Sequence, residues 1–208
     1  MILLTGSHGF IGTHVRAAFD AAGLGYRTVD SFEPRVHGLG ILTPADFVGD
    51  YFATPYPLVM NCDTVVHLAA QVGVADSMTD PLRYIEQNTL STGVFLQTLG
   101  RVLANGHPLK RLIVAGSMSV YGDPETAERI PETHPIRPAS VYGLTKYDQE
   151  RLCQLWGRQH GVEVVALRFF NVYGPGQALH NPYTGVLANF ANWLLHDEQP
   201  VVYEDGFQ

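Results

Sequence analysis

The chain has 208 residues, 46% of them hydrophobic and 16% charged, a balance that excludes a disordered polypeptide and predicts a folded protein with a real core. Lys and Arg total 13 against 20 Asp and Glu, a net charge of −7 without basic runs, so neither a nucleic-acid nor a membrane partner is expected. Met1-Ile2-Leu3-Leu4 has no basic leader, no apolar run approaches the ~18 residues of a membrane span, and two distant cysteines suit a reducing compartment, so a cytoplasmic protein is expected.

In chain order, apolar runs at residues 2–4, 27–29, 64–68, 111–115 and 162–169 predict strands. Between them, Ile11, Val15, Ala18 and Ala22 keep helical spacing, as do Phe95, Leu96, Leu99, Val102 and Leu103. Val186, Leu187, Phe190, Trp193 and Leu194 predict a last helix over 184–196. Strands alternating with amphipathic helices predict βαβ units, and therefore an α/β protein with a parallel sheet. The segment 123–140 carries prolines at 124, 131, 135 and 138, so it reads as an irregular loop placed to wall an active site.

The first strand runs into Gly6-Ser7-His8-Gly9-Phe10-Ile11-Gly12, which opens the first helix. Glycines at 6, 9 and 12 allow a tight turn, close backbone approach to a pyrophosphate, and close packing of helix on strand. The phosphates would rest on free amides at the positive end of the helix. Asp30 follows the last glycine by 18 residues, at the end of the second predicted strand. A carboxylate there accepts hydrogen bonds from an adenosine ribose and repels a 2′-phosphate, which favours NAD over NADP.

Tyr142 and Lys146 stand four residues apart, one above the other on a helix. For a tyrosine to act as a base near neutrality its pKa must fall by about three units, or about 4 kcal/mol. One ammonium at about 6 Å supplies roughly 2.8 kcal/mol at an effective dielectric near 20. The positive nicotinamide ring of an oxidised cofactor could supply the rest. Ser117 follows the run 111–115, at the carboxyl end of a strand, where ligands of open parallel sheets bind. Its hydroxyl can share the proton that Tyr142 takes. The nine histidines form no HxxxH or HExxH pair, and no metal is expected.

The glycine turn, Asp30, His67-Leu68-Ala69-Ala70, Ser117, Tyr142 with Lys146, and Arg168-Phe169-Phe170-Asn171 occur in one order. In that order the chain resembles the extended short-chain dehydrogenase/reductase family, in its NAD-dependent nucleotide-sugar epimerase/dehydratase branch. The resemblance implies a Rossmann-like doubly wound parallel sheet over residues 1–170. It implies an incomplete C-terminal substrate-binding domain that begins at 171 and reaches 208, with the apolar face of the 184–196 helix exposed. Ser117, Tyr142 and Lys146 match the family's catalytic triad. Gly6, Gly9, Phe10, Ile11, Gly12, Asp30, Leu68, Ala69, Ala70, Tyr142 and Lys146 would hold NAD. Ser77, Ser117 and Asn171 would meet a nucleotide-diphosphate sugar, and Asn88 matches an Asn position of the family, with Ser91 in place of the glycine that usually follows. Where relatives carry an aspartate for the adenine, this chain has Gly40-Ile41-Leu42.

Relatives that dehydrate carry Asp-Glu after the catalytic Ser or Thr, and decarboxylating relatives typically keep a glutamate. Met118 and Ser119 occupy those positions here, and neither is a carboxyl acid or base. The resemblance therefore implies a 4-epimerase, oxidising a sugar at C4 and reducing the 4-keto intermediate on its other face. Residues 172–208 and Ser31-Phe32-Glu33-Pro34 look most like dTDP-L-rhamnose 4-epimerases; a dTDP- or UDP-sugar is the expected substrate. A dehydrogenase or reductase on the same scaffold, or a catalytically silent dinucleotide-binding protein, are the alternatives. The family usually dimerises through helices over 81–104 and 142–160, so a homodimer is expected.

Overall fold

In the computed structural model, residues 1–37, 44–123, 129–178 and 185–202 are described. The five predicted runs each form a strand and a sixth joins them: β1 (Ile2–Thr5), β2 (Tyr26–Asp30), β3 (Phe47–Val48), β4 (Thr64–His67), β5 (Arg111–Ser117) and β6 (Glu163–Phe169). They make one sheet in the order β3-β2-β1-β4-β5-β6, and every pairing is parallel. The chain leaves β1 towards β2 on one side and returns through β4 on the other. This reversal opens a crevice at the carboxyl ends of β1 and β4, the place where open parallel sheets bind ligands.

The helices are α1 (Phe10–Ala21), α2 (Pro34–His37), α3 (Tyr56–Val59), α4 (Val74–Thr79), α5 (Pro81–Tyr84), α6 (Ser91–Ala104), α7 (Val141–His160) and α8 (Val186–Leu195). A π-helical turn, Ile85–Leu90, joins α5 to α6 into one run. Leu3, Val29, Val65, Leu112 and Val114 from the sheet pack with Phe95, Leu96, Leu99 and Val102 of α6 and Cys153 of α7. Each such side chain, fully buried, stabilises the fold by about 1.5–3 kcal/mol. Helix α7 is bounded as its sequence dictates: the Ser140 hydroxyl accepts from Gly143 N at 3.0 Å, and Gly161 takes the left-handed conformation after the last turn.

The sequence reading matched the third-strand motif of relatives to Gly40-Ile41-Leu42 and found no aspartate. The structure instead makes Phe47–Val48 the third strand, β3, with Gly49-Asp50 directly after it, so a carboxylate does follow that strand. The strand is two residues long, pairs Phe47 with Val29 and Val48 with Asp30, and offers too short a pattern to read. Gly40-Ile41-Leu42 and the segments 124–128, 179–184 and 203–208 lie outside the described residues. Cys62 and Cys153 are both buried free thiols. Among the described residues no helix is long and apolar enough to cross a membrane.

Two compact units divide the chain, Met1–Phe170 and Asn171–Gln208. The first holds the whole sheet. In the second, α8 starts after Gly185 and exposes Val186, Leu187, Leu194 and Leu195, while the Phe190 and Trp193 rings lie tilted with centroids 5.8 Å apart.

Candidate active site

At the mouth of the crevice, Gly6 has φ +67°, and a Cβ there would lie 2.8 Å from Ala69 N. A Cβ on Gly12 would lie 2.1 Å from Gly6 O. Both glycines are therefore demanded by the chain's own packing, one for conformation and both for contact. Gly9 differs: a Cβ there would meet only Gly6 O, at an ordinary 3.5 Å. The protein itself has room for a side chain at 9, so the reason for glycine lies on the open flank, where a ligand's backbone approach would need that space. Gly9 is the N-cap of α1 and no side chain caps the helix, so the first-turn amides of Phe10, Ile11 and Gly12 present donors for an anion.

Asp30 ends β2 beside this turn. Its Oδ2 accepts from His8 N at 2.8 Å and its Oδ1 from Phe32 N at 2.9 Å, while His37 Nε2 stands 3.3 Å from Oδ1. A carboxylate has about four acceptor directions, so one side remains for a ribose hydroxyl. Leu68, Ala69 and Ala70 follow β4, and Ala69 N donates to Thr5 Oγ1 at 3.3 Å, which ties this backbone to the glycine turn. The cradle, the uncapped amides and the strand-end carboxylate together fit a dinucleotide.

Ser117 ends β5, buried, and its Oγ accepts from Ser119 N at 3.2 Å. The Tyr142 phenol hydrogen-bonds Ser117, which lowers its pKa, but burial outweighs this and leaves the phenol above its ordinary value. A Cβ on Gly143 would lie 2.5 Å from Ser119 O, so the first turn of α7 sits backbone against the 3-10 turn Met118–Tyr121 that follows Ser117. Lys146, one turn further along, is buried, and desolvation pulls its ammonium down to about 8. Its Nζ donates to Gln149 Oε1. The sequence reading had Lys146 supply most of the drop needed at Tyr142. In the structure the phenol stays high because its burial outweighs the lowering effect of Ser117.

Two further groups brace the site. Asn88, buried on the π-helical turn, accepts from Gln71 N at 2.7 Å and donates to Gln71 O and Thr145 Oγ1, both at 3.0 Å. Arg168 forms a two-pronged bridge to the buried Glu150, at 2.9 and 2.7 Å, and donates to Tyr121 at 2.8 Å and to Glu132 O at 3.1 Å. The described part of the 123–140 segment is thereby fastened to β6 and α7, with Arg137 N on Val120 O. Ser77, expected near a sugar, is fully buried; its hydroxyl donates to Val74 O at 2.6 Å and accepts from Tyr142 N at 3.0 Å, anchoring the start of α7. Asn171 is exposed and belongs to the second unit.

The sequence reading missed the polar group behind Lys146. Gln149, His67, Thr92 and Thr5 are all buried and hydrogen-bonded in series. The available signal was a histidine inside an apolar strand run and a glutamine one turn after the lysine.

Residues 2–208 match the family described as the NAD dependent epimerase/dehydratase family. A dTDP-L-rhamnose 4-epimerase of Burkholderia thailandensis is 29% identical over 250 residues, covering 99% of this chain and 67% of that protein. A UDP-glucuronic acid decarboxylase 1 of Xenopus tropicalis is 32% identical over 216 residues, covering 100% of this chain and 49% of that protein. Among solved structures, UDP-glucuronic acid 4-epimerase from Bacillus cereus, in complex with UDP-glucuronic acid and NAD, superposes with a TM-score of 0.79 at 28% identity, covering 99% of this chain and 66% of that one. The chain thus spans between about half and two thirds of the length of these relatives.

Proposed function

Because the chain belongs to the NAD-dependent epimerase/dehydratase family, we propose that it carries the cofactor-binding and catalytic part of a nucleotide-sugar 4-epimerase. The observation that carries this reading is the placement of Ser117, Tyr142 and Lys146 without a carboxyl group on either residue after Ser117. Elimination or decarboxylation chemistry at the sugar would call for its own acid or base there, whereas epimerisation at C4 requires one proton acceptor that later returns the proton.

In this reading the Phe10, Ile11 and Gly12 amides hold the cofactor's diphosphate and Asp30 holds its adenosine ribose. NAD, when bound, would supply a reversible acceptor that takes the C4 hydride and gives it back, and a positive ring that favours the phenolate. Tyr142 takes the proton of the sugar 4-hydroxyl, Ser117 shares it, and Lys146, one turn further along α7, carries the positive charge of the triad. The flat 4-keto sugar then turns over, and Tyr142 returns the proton on completion. Asn171–Gln208 is read as the start of the substrate-binding part, with Asn171 toward the diphosphate.

A homodimer is part of the same proposal. The faces of α6 and α7 form a shallow groove lined by Gly93, Leu96, Leu152, Leu155 and Trp156, and Leu155 and Val94 beside it are exposed. An apolar strip of this kind suits the same strip of a second copy.

The test begins with the purified protein: denature it, identify any released nucleotide, and assay interconversion of UDP- and dTDP-hexoses at C4. Retained NAD and C4 interconversion abolished by Tyr142→Phe are the expected results. Turnover that survives Tyr142→Phe would remove Tyr142 as the base.

A further inference from the structure

Lys146 can only donate hydrogen bonds, and this fixes the polarity of everything hydrogen-bonded behind it. The atom of Gln149 that faces the ammonium must be its oxygen. The amide NH2 of Gln149 therefore points the other way, to His67 Nε2 at 2.9 Å and to Thr92 Oγ1 at 3.1 Å. His67 Nε2 must then be the bare, accepting nitrogen. The proton of the neutral ring sits on Nδ1, which faces Thr5 Oγ1 at 2.7 Å. Thr5 Oγ1 also accepts from Ala69 N, so the series ends on the backbone beside the glycine turn. Thr92 turns its own proton to Asn88 O, which leaves its oxygen free to accept from the Gln149 amide, while Tyr51 on the far side donates to Gln87 O.

We propose that Gln149 is a positioning residue for Lys146, and that the Lys146 ammonium, acting through the Gln149 amide, fixes His67 as the Nδ1–H tautomer. The series makes Lys146 and the Thr5–Ala69 backbone one polarised unit, spanning the Tyr142 side and the glycine-turn side of the crevice. The groups that face the ammonium are Gln149 and Cys153 on its own helix and His67 from β4, with Tyr51 behind His67. The neighbouring carboxylate Glu150 is committed to Arg168, and Asp148 accepts from Thr89. Among the described residues no anion therefore pairs with Lys146, and a neutral acceptor leaves its charge uncancelled. The consequence for Tyr142 rests on the epimerase reading; the tautomer does not.

The protein labelled with 15N-histidine separates the two. His67, assigned by the signal lost in His67→Asn, is expected as the neutral Nδ1–H tautomer at pH 7. In Gln149→Glu both oxygens accept, so His67 must place a proton on Nε2 and appear as the Nε2–H tautomer or as the cation. In Lys146→Met the amide is released and both tautomers should be populated. An Nε2–H signal in the unaltered chain, or a tautomer unmoved by both substitutions in folded protein, overturns the proposal. For the catalytic consequence, Gln149→Glu should move the acidic limb of the kcat/KM profile upward by about one pH unit. A uniform loss at every pH with the limb in place would mean that Gln149 only supports the fold. An inactive chain with the expected tautomers would sink the epimerase reading alone.

Discussion

The buried imidazole of His67 makes the fold sensitive to acid, and the effect can be worked out. Desolvation, and secondarily the Lys146 charge, depress His67 from 6.5 to about 3. Because its folded pKa lies below its unfolded one, stability is complete above pH 6.5 and is lost as the pH falls toward 3, where the unfolded chain binds a proton that the folded chain refuses. At 1.36 kcal/mol per unit, the loss is about 2 kcal/mol at pH 5 and approaches about 5 kcal/mol at the low end of the window. His67→Asn keeps a polar side chain beside Thr5 and does not titrate. It should be less stable than the parent at pH 7, since the Gln149 amide loses a partner, but its stability should fall less between pH 7 and pH 5, by about 2 kcal/mol. Urea unfolding of both chains at pH 7, 6 and 5 measures this directly, with the eight other histidines common to both and cancelling. Parallel decline of the two chains would show that His67 is not buried neutral, and the hydrogen-bond polarity argued from Lys146 would fall with it.

Three further expectations are as direct. Arg168→Met strands the buried Glu150 carboxylate and should destabilise the fold by about 3 kcal/mol, whereas Arg168→Met with Glu150→Gln should recover part of that loss; thermal or urea unfolding of the set decides. Asp30→Asn removes the charge proposed to face the cofactor's ribose, so the thermal stabilisation by NADP should rise relative to that by NAD; an unchanged ratio would detach Asp30 from cofactor choice. Leu155→Glu places a charge in the α6–α7 groove and should turn a particle of twice the 22.9 kDa chain mass into one of single mass by light scattering. A particle of single mass before the substitution would refute the dimer.

Much of the fold was legible because its signals are local. Strands buried on both faces read as continuous apolar runs, and five of the six were found within a residue or two at each end. The glycine turn was legible because backbone geometry restricts 6 and 12 to glycine. What escaped were features made by tertiary contact. Phe47–Val48 is a strand only because β2 is beside it. The π-helical turn, which aims Asn88 at Gln71 and Thr145, leaves no periodic trace over six residues. Ser77 has the composition of a ligand-binding residue, yet its neighbours in space, Val74 O and Tyr142 N, take up its hydroxyl. His67 and Gln149 lie 82 positions apart, and neither is remarkable until the sheet and α7 bring them together.

The contact between Gly143 and Ser119 O has a consequence for how such a site can diverge. The spacing between the serine at the end of β5 and the tyrosine at the start of α7 is set where one main chain rests on another, with no side chain in the gap. Side chains around the crevice can be exchanged, enlarged or trimmed, and the serine and the tyrosine keep their separation. Chemistry and selectivity are thereby inherited on separate parts of the polypeptide, one written in the backbone and the other in the replaceable groups that surround it.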